Sequence, residues 1–142
     1  MSQLTLVRGI PGSGKSTLAK KLAAMQGMTS IHLEADQFFI HPETGIYTWD
    51  GMKIGYAHEW CQDQTEEQLF YKFDVFVSNT FTTAKEIRPY LEINSKLNLK
   101  RPNIITCQGS FGSIHGVPES TLDAMRKRFL YDLEPLMAEF GY

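Results

Sequence analysis

The chain has 142 residues, 42% hydrophobic and 21% charged, with a formal net charge of −2. That length points to one domain spanning 1–142, able to bury a core without disulfide or metal staples, and the near-neutral charge excludes a global attraction to nucleic acid or anionic membrane. Two cysteines, Cys61 and Cys107, make neither a disulfide framework nor a metal cluster. With no signal-peptide pattern and no apolar run of spanning length, a cytoplasmic protein with no membrane partner is expected.

In chain order, LTLVRGI (4–10) is a short β-rich run stopped by glycine and predicts a buried first strand. KSTLAKKLAAMQG follows with Leu18, Leu22 and Met25 at helical spacing and Gly27 as a stop. TSIHLEAD (29–36) reads as a second strand ending in acids, and HPETG (41–45) as a turn. A long helix is predicted from Met52 to about Lys72, with Ile54, Ala57, Trp60 and Cys61 on one side. FDVFVSN (73–79) is a clear third strand. TAKEIRPYLEINSKLN reads as a helix that Pro89 either kinks or restarts, and NIITCQG (103–109) as a fourth strand. Pro118 suits the first turn of a further helix, and residues 122–140 read as helical with an interruption near Pro135. Strands alternating with helices predict βαβ units and a parallel sheet.

GIPGSGKS (9–16) fits G-x-x-x-x-G-K-[ST], the Walker A pattern. Glycines let successive backbone N–H groups point inward at phosphate oxygens, and the helix that follows offers its positive end. Lys15 then reaches the β- and γ-phosphates, and the Ser16 hydroxyl ligates Mg²⁺. Gly9, Gly12, Ser13, Gly14, Lys15, Ser16 and Thr17 are the expected nucleotide-binding set, with ATP and Mg²⁺ as cofactors. The motif follows a strand and opens a helix, which is the context its mechanism requires.

Phosphoryl transfer to a hydroxyl needs a carboxylate that orients the acceptor and takes its proton. Asp36, at the expected crevice end of the second strand, is the candidate. Glu34, two residues earlier, would share its face in a strand and assist or hold metal through water. The third strand ends in Ser78, Asn79 and Thr80 rather than a magnesium-binding aspartate. Such small polar groups suit contact with metal-bound water or an acceptor hydroxyl. His58, four residues after Ile54, is either a core histidine or a lining of the acceptor pocket. Gly109, Gly112 and Gly116 punctuate a loop that reads as a lid, in which His115 is a candidate polar contact. Of the cations in MRKRF, Arg126 is the candidate to reach the triphosphate, lying four residues after Leu122, and Arg128 is expected to play no part.

RGIPGSGKST, LEADQFF, YTWD…AHEW, VSNTFTT and IHGVPESTLDAMRKRF, in this order, resemble the polynucleotide-kinase-like P-loop proteins. These are the phage polynucleotide 5′-kinase domain and the related phage, bacterial and animal proteins labelled ATP-binding or AAA. The similarity runs from about Leu4 to Phe129, and HGVP before the basic helix together with SNT after the third strand carries most of its specificity. The resemblance implies triphosphate and Mg²⁺ roles for Lys15 and Ser16, an acceptor-activating base in Asp36, and acceptor-site roles for Asn79 and Thr80. Two features differ from the phage kinase. Gln37, Phe38 and Phe39 follow the base where that enzyme has an arginine, and residues 109–117 contain no arginine.

The expected fold is therefore an α/β P-loop kinase-type three-layer sandwich, with a parallel sheet of about four strands in the order 2-3-1-4. The expected function is Mg²⁺–ATP-dependent transfer to a hydroxyl acceptor, a nucleic-acid or nucleotide 5′ end. The residues also allow a small-metabolite or toxin-like sugar-nucleotide kinase, and a nucleotide-binding module with little turnover.

Overall fold

The protein is described by a computed structural model covering residues 2–112 and 116–142. Four parallel strands, β1 (Leu4–Arg8), β2 (Ser30–Leu33), β3 (Asp74–Asn79) and β4 (Asn103–Thr106), form one sheet in the order β2-β3-β1-β4. Leu6 stands beside Val77 on one side and Ile104 on the other. Among the described residues, five α-helices follow the strands: α1 (Lys15–Gln26), α2 (Ile54–Phe70), α3 (Ala84–Lys96), α4 (Glu119–Arg128) and α5 (Glu134–Glu139). Among the described residues, no helix is long and apolar enough to cross a membrane.

The central strands β1 and β3 are rich in buried apolar residues because both faces of the sheet are covered, as parallel sheets require. Side chains alternate across the pleat. Leu4, Leu6, Val75 and Val77 therefore face one core with Ala57, Cys61 and Leu69 of α2, Ile87, Tyr90 and Leu91 of α3, and Leu136 and Met137 of α5. Val7 and Phe76 face the other core, made with Ala19 and Ala23 of α1. Helices on both faces and the strand order agree with the expected three-layer sandwich.

Several boundaries differ from the sequence expectation, and one matters for the site. The second strand stops at Leu33, and the chain turns into a short 3₁₀ segment, Ala35–Phe39. The turn is anchored by Ala35 and Phe39, which are buried in the core beside α2. Asp36 therefore stands on a turn, not on a strand face shared with Glu34. Pro89 lies inside α3, whose start is fixed instead by a capping box of Thr83 and Glu86. The break in the C-terminal helical stretch covers residues 129–133, so that Pro135 sits in the first turn of α5.

Candidate active site

The phosphate loop runs from the buried end of β1 into α1. Its curvature depends on glycine at two points. Gly14, the N-cap of α1, has φ +91 and Gly12 φ +84, both in the left-handed region where a side chain would be strained. Gly9 is needed for a different reason: a Cβ there would stand 2.3 Å from Ser13 Oγ and 2.8 Å from the Cys107 carbonyl oxygen. Ser13 is buried, and its hydroxyl has no hydrogen-bond partner among the described residues. Thr17 is exposed on the first turn of the helix.

Lys15 lies in the same hollow. Burial draws its ammonium below the usual lysine range, opposed by the charges of Glu34, Asp36 and Cys107. Both carboxylates that the sequence singled out are therefore close enough to act on Lys15. Their positions differ. Glu34 Oε2 accepts the Ser16 hydroxyl at 2.7 Å and the Ser78 hydroxyl at 3.1 Å. His32 Nε2 lies 2.7 Å from Ser78 Oγ and 3.8 Å from the same carboxylate oxygen. Because Ser78 donates to Glu34, His32 must donate to Ser78, which puts the histidine proton on Nε2. Burial lowers the His32 pKa, partly offset by Glu34 and reinforced by Lys20, so the ring is neutral near pH 7. Asp36 sits one step outward, where the Tyr47 hydroxyl donates to its Oδ1 at 3.5 Å.

Asn79 and Thr80 stand elsewhere than the resemblance suggests. Asn79 is buried, its Oδ1 accepting from the Ala35 backbone N–H at 2.9 Å and its amide nitrogen facing Tyr90 and Cys61. It is the strut that holds the Asp36 turn against β3. Thr80 Oγ1 donates to Glu86 at 3.1 Å, and its carbonyl receives the Gly9 N–H. Both side chains are thus committed to supporting the loops rather than open to an acceptor.

His58 is half-buried on α2, beside the inward stripe of Ala57, Cys61, Thr65 and Leu69. Ile54, the residue from which its inward direction was reasoned, is 40% exposed. His115 lies outside the described residues.

Residues 107–112, which follow β4, fold onto the phosphate loop. Phe111 donates its N–H to the Gly12 carbonyl at 2.8 Å, and its ring lies against Gly14 and Gly109. Between this segment, the loop and α4 is a cleft of about 510 Å³, lined by Ile10, Pro11 and Gly12 on one wall and Leu122 and Arg126 on the other. Arg126 borders that cleft, but its guanidinium is paired with Glu119 at 2.9 Å and Asp123 at 2.7 Å on its own helix. Arg128 Nε donates to Thr82 Oγ1 at 3.1 Å.

Sequence reasoning missed Arg8. It is fully buried immediately before Gly9, where Nε and Nη2 both donate to the Phe81 carbonyl, at 3.0 and 2.6 Å. Its guanidinium lies 4.1 Å from the centroid of Phe129, at the end of α4. Phe81 adopts φ +47, which costs a bulky side chain about 1 kcal/mol or more. Arg8 thus ties the phosphate loop to both the β3–α3 turn and α4. The available signal was a lone cation closing an otherwise apolar strand, LTLVR. His32 was missed as well, although its spacing of two from Glu34 along an extended chain puts both on one face.

The family comparison matches residues 4–110 to an AAA domain. Human NEDD4-binding protein 2 is 37% identical over 98 residues, covering 68% of this chain but only 5% of that relative's length. Among solved structures, the Pnkp1/Rnl/Hen1 RNA repair complex superposes with a TM-score of 0.54 at 16% identity, covering 89% of this chain and 36% of the other. A gluconokinase from Sinorhizobium meliloti 1021 gives 0.58 at 19% identity, covering 93% and 77%. The chain belongs to this AAA domain family, and its fold is that of the P-loop kinases.

Proposed function

We propose that this AAA-family domain transfers the terminal phosphoryl group of ATP, with Mg²⁺, to a hydroxyl acceptor at a nucleotide or nucleic-acid 5′ end. The observation that carries the reading is the convergence of Lys15, Ser16, Glu34 and Asp36 at the mouth of β1 and β3. A purely structural loop has no need of two carboxylates whose charges act on a half-buried lysine, one of them bonded to the adjacent serine.

The donor set supports a bound Mg²⁺–triphosphate. A loop without room for a Cβ at Gly9, a buried unpartnered Ser13 hydroxyl and a Lys15 held in a hollow all favour close approach of phosphate oxygens. Ser16 and Glu34 offer oxygen atoms, which hard cations prefer. Ser16 would ligate the ion and Glu34 would hold one of its waters; when bound, Mg²⁺ supplies charge neutralisation on the phosphates. Lys15 stabilises the β- and γ-phosphates as charge shifts toward the leaving oxygen. Asp36 orients the acceptor hydroxyl and takes its proton as that oxygen bonds the γ-phosphorus, and the β,γ-bridging oxygen departs with ADP. The resemblance of RGIPGSGKST, VSNTFTT and IHGVPESTLDAMRKRF to the polynucleotide-kinase-like proteins supports a nucleic-acid 5′ end over a sugar acid.

The test is incubation with γ-labelled ATP, Mg²⁺ and a panel of 5′-hydroxyl oligonucleotides, nucleosides and sugars. Label on an oligonucleotide or nucleoside supports the reading, and label confined to a sugar overturns the acceptor. Tight ATP binding without transfer to any acceptor overturns the reaction. One feature favours slow turnover as a second reading: Arg126, the cation bordering the loop cleft, is already paired with two acids.

A further inference from the structure

Just outside Asp36 the chain exposes several large apolar side chains on a hydrogen-bonded hairpin and the turn that follows it. Residues 39–48 double back as a hairpin. Ile40 bridges Tyr47, the His41 N–H donates to the Ile46 carbonyl at 2.9 Å, and the Thr48 N–H donates to the Phe39 carbonyl at 2.9 Å. Phe39 anchors one strand in the core and stacks edge-on against Tyr47 at 6.2 Å. The Asp50 carboxylate then caps the turn into α2 by accepting from the Met52 N–H at 3.0 Å. On this fixed backbone Ile46, Trp49 and Met52 are 61%, 59% and 93% exposed. Gly51 makes room for the indole: a Cβ there would stand 2.6 Å from Trp49 Cη2. Tyr47 joins this surface to the candidate base through its hydroxyl on Asp36.

We propose that Trp49, with Tyr47 beside Asp36, forms a stacking platform for the base of the acceptor, so that the acceptor is a nucleoside or a 5′-terminal nucleoside unit rather than a polyol. This rests on the phosphotransfer reading above and adds to it a specificity-determining residue. Charge decides which kind of ring fits. Residues 34–53 carry Glu34, Asp36, Glu43 and Asp50 against a single cation, Lys53, so the segment is net acidic. Phosphate groups are disfavoured on such a surface, so the terminal nucleoside unit rests on it with its phosphodiester directed away, and the neutral planar base gains stacking without opposing charge. An indole face accepts any base, so the platform selects for the presence of a base and tolerates its identity. A polyol has no flat face to offer it.

The experiment uses intrinsic fluorescence, because the second indole, Trp60, is packed against the core and Phe38. Adenosine or a 5′-hydroxyl trinucleotide, added without ATP, should quench the emission of wild-type protein and of Trp60→Phe, but not that of Trp49→Phe. If Trp60→Phe does not fold, the difference between wild type and Trp49→Phe carries the same information. Trp49→Ala should raise KM for adenosine by roughly ten- to a hundredfold, the range for removing one base–aromatic stack, while kcat stays within about twofold. Gly51→Ala, which displaces the indole without deleting it, should raise KM in the same direction. Quenching with no transfer to any acceptor would sink the kinase reading and leave the platform standing. Transfer untouched by Trp49→Ala would keep the kinase and overturn the platform. No quenching of the wild-type emission by nucleoside, together with Trp49-dependent self-association, would assign the face to a second copy of the chain and overturn the platform.

Discussion

Glu34 and Asp36 are two residues apart in sequence; the proposed reaction gives them different work, and Glu34→Gln tests that division. Glu34 touches the Ser16 hydroxyl at 2.7 Å, whereas Asp36 faces outward to Tyr47. Glutamine keeps the length and one oxygen acceptor, so a hydroxyl bond survives and the fold is not opened. What is lost is a negative charge beside the metal ligand. Outer partners of this kind change metal affinity or activity by about 10–100-fold when removed. Glu34→Gln should therefore shift the Mg²⁺ requirement for phosphotransfer upward by roughly that factor, with kcat at saturating Mg²⁺ largely recovered. Asp36→Asn should do the reverse, lowering kcat by about 10²–10⁴-fold with the Mg²⁺ requirement unchanged. Both variants are assayed by Mg²⁺ titration of transfer, with thermal unfolding in the absence of nucleotide as the check on folding. A Glu34→Gln protein with a wild-type Mg²⁺ requirement would refute its placement at the metal. An Asp36→Asn protein that transfers at the native rate would remove the base.

Lys15→Ala should weaken ATP binding or transition-state stabilisation by about 2–4 kcal/mol, the range for truncating a desolvated charge partner; equilibrium binding and turnover measured together check this. Gly9→Ala forces a Cβ against Ser13 and the Cys107 carbonyl, so it should destabilise by about 1–3 kcal/mol and reduce nucleotide affinity, read by denaturant titration with and without ATP. Arg126→Ala should reduce transfer more than ATP binding and Arg128→Ala should change neither; equal, mild losses would make Arg126 only a solvated ion pair. Burial alone would raise the Glu86 pKa, but hydrogen bonds from Thr82, Thr83 and Thr80 outweigh it and hold the carboxyl below its ordinary value of 4.5. Its contribution to stability is then complete above that value and lost as pH falls through the folded pKa, so Glu86→Gln should flatten the acid limb of the unfolding curve.

The layers were legible because the chain alternates short apolar runs with helical periods, and both faces of the sheet draw on the same alternation; the strand order came with the resemblance to P-loop kinases. Leu6 and Val7, adjacent in sequence, end up in opposite cores, as a period of two demands. The phosphate loop was legible because its chemistry is local: glycines, lysine and serine act within eight consecutive residues. The end of β2 was less so. HLEAD reads as continuous strand, and nothing local says that Ala35 will be drawn into the core with Phe39. Asn79, some forty residues away, takes the Ala35 N–H and completes the turn.

That one long-range contact explains why Asn79 supports the Asp36 turn instead of standing beside Asp36 in a pocket. A small polar side chain at the end of a buried strand can either meet a ligand or satisfy a backbone group that folding strips of water. A stranded buried N–H costs about 1–3 kcal/mol, and the turn at Ala35 exposes one. With that donor directly opposite the end of β3, the amide of Asn79 is drawn to it. Asn79→Ala should therefore behave as a stability variant: it leaves the Ala35 N–H unpaired and lets the Asp36 turn drift. The expected loss is about 1–3 kcal/mol in unfolding free energy, and kcat falls because the base is displaced. Asn79→Asp separates the two roles, since a carboxylate still accepts from Ala35 but offers no N–H to Tyr90 or Cys61. Recovery of kcat in Asn79→Asp relative to Asn79→Ala would support the strut. A rise in acceptor KM with unchanged stability in both would return Asn79 to the acceptor site.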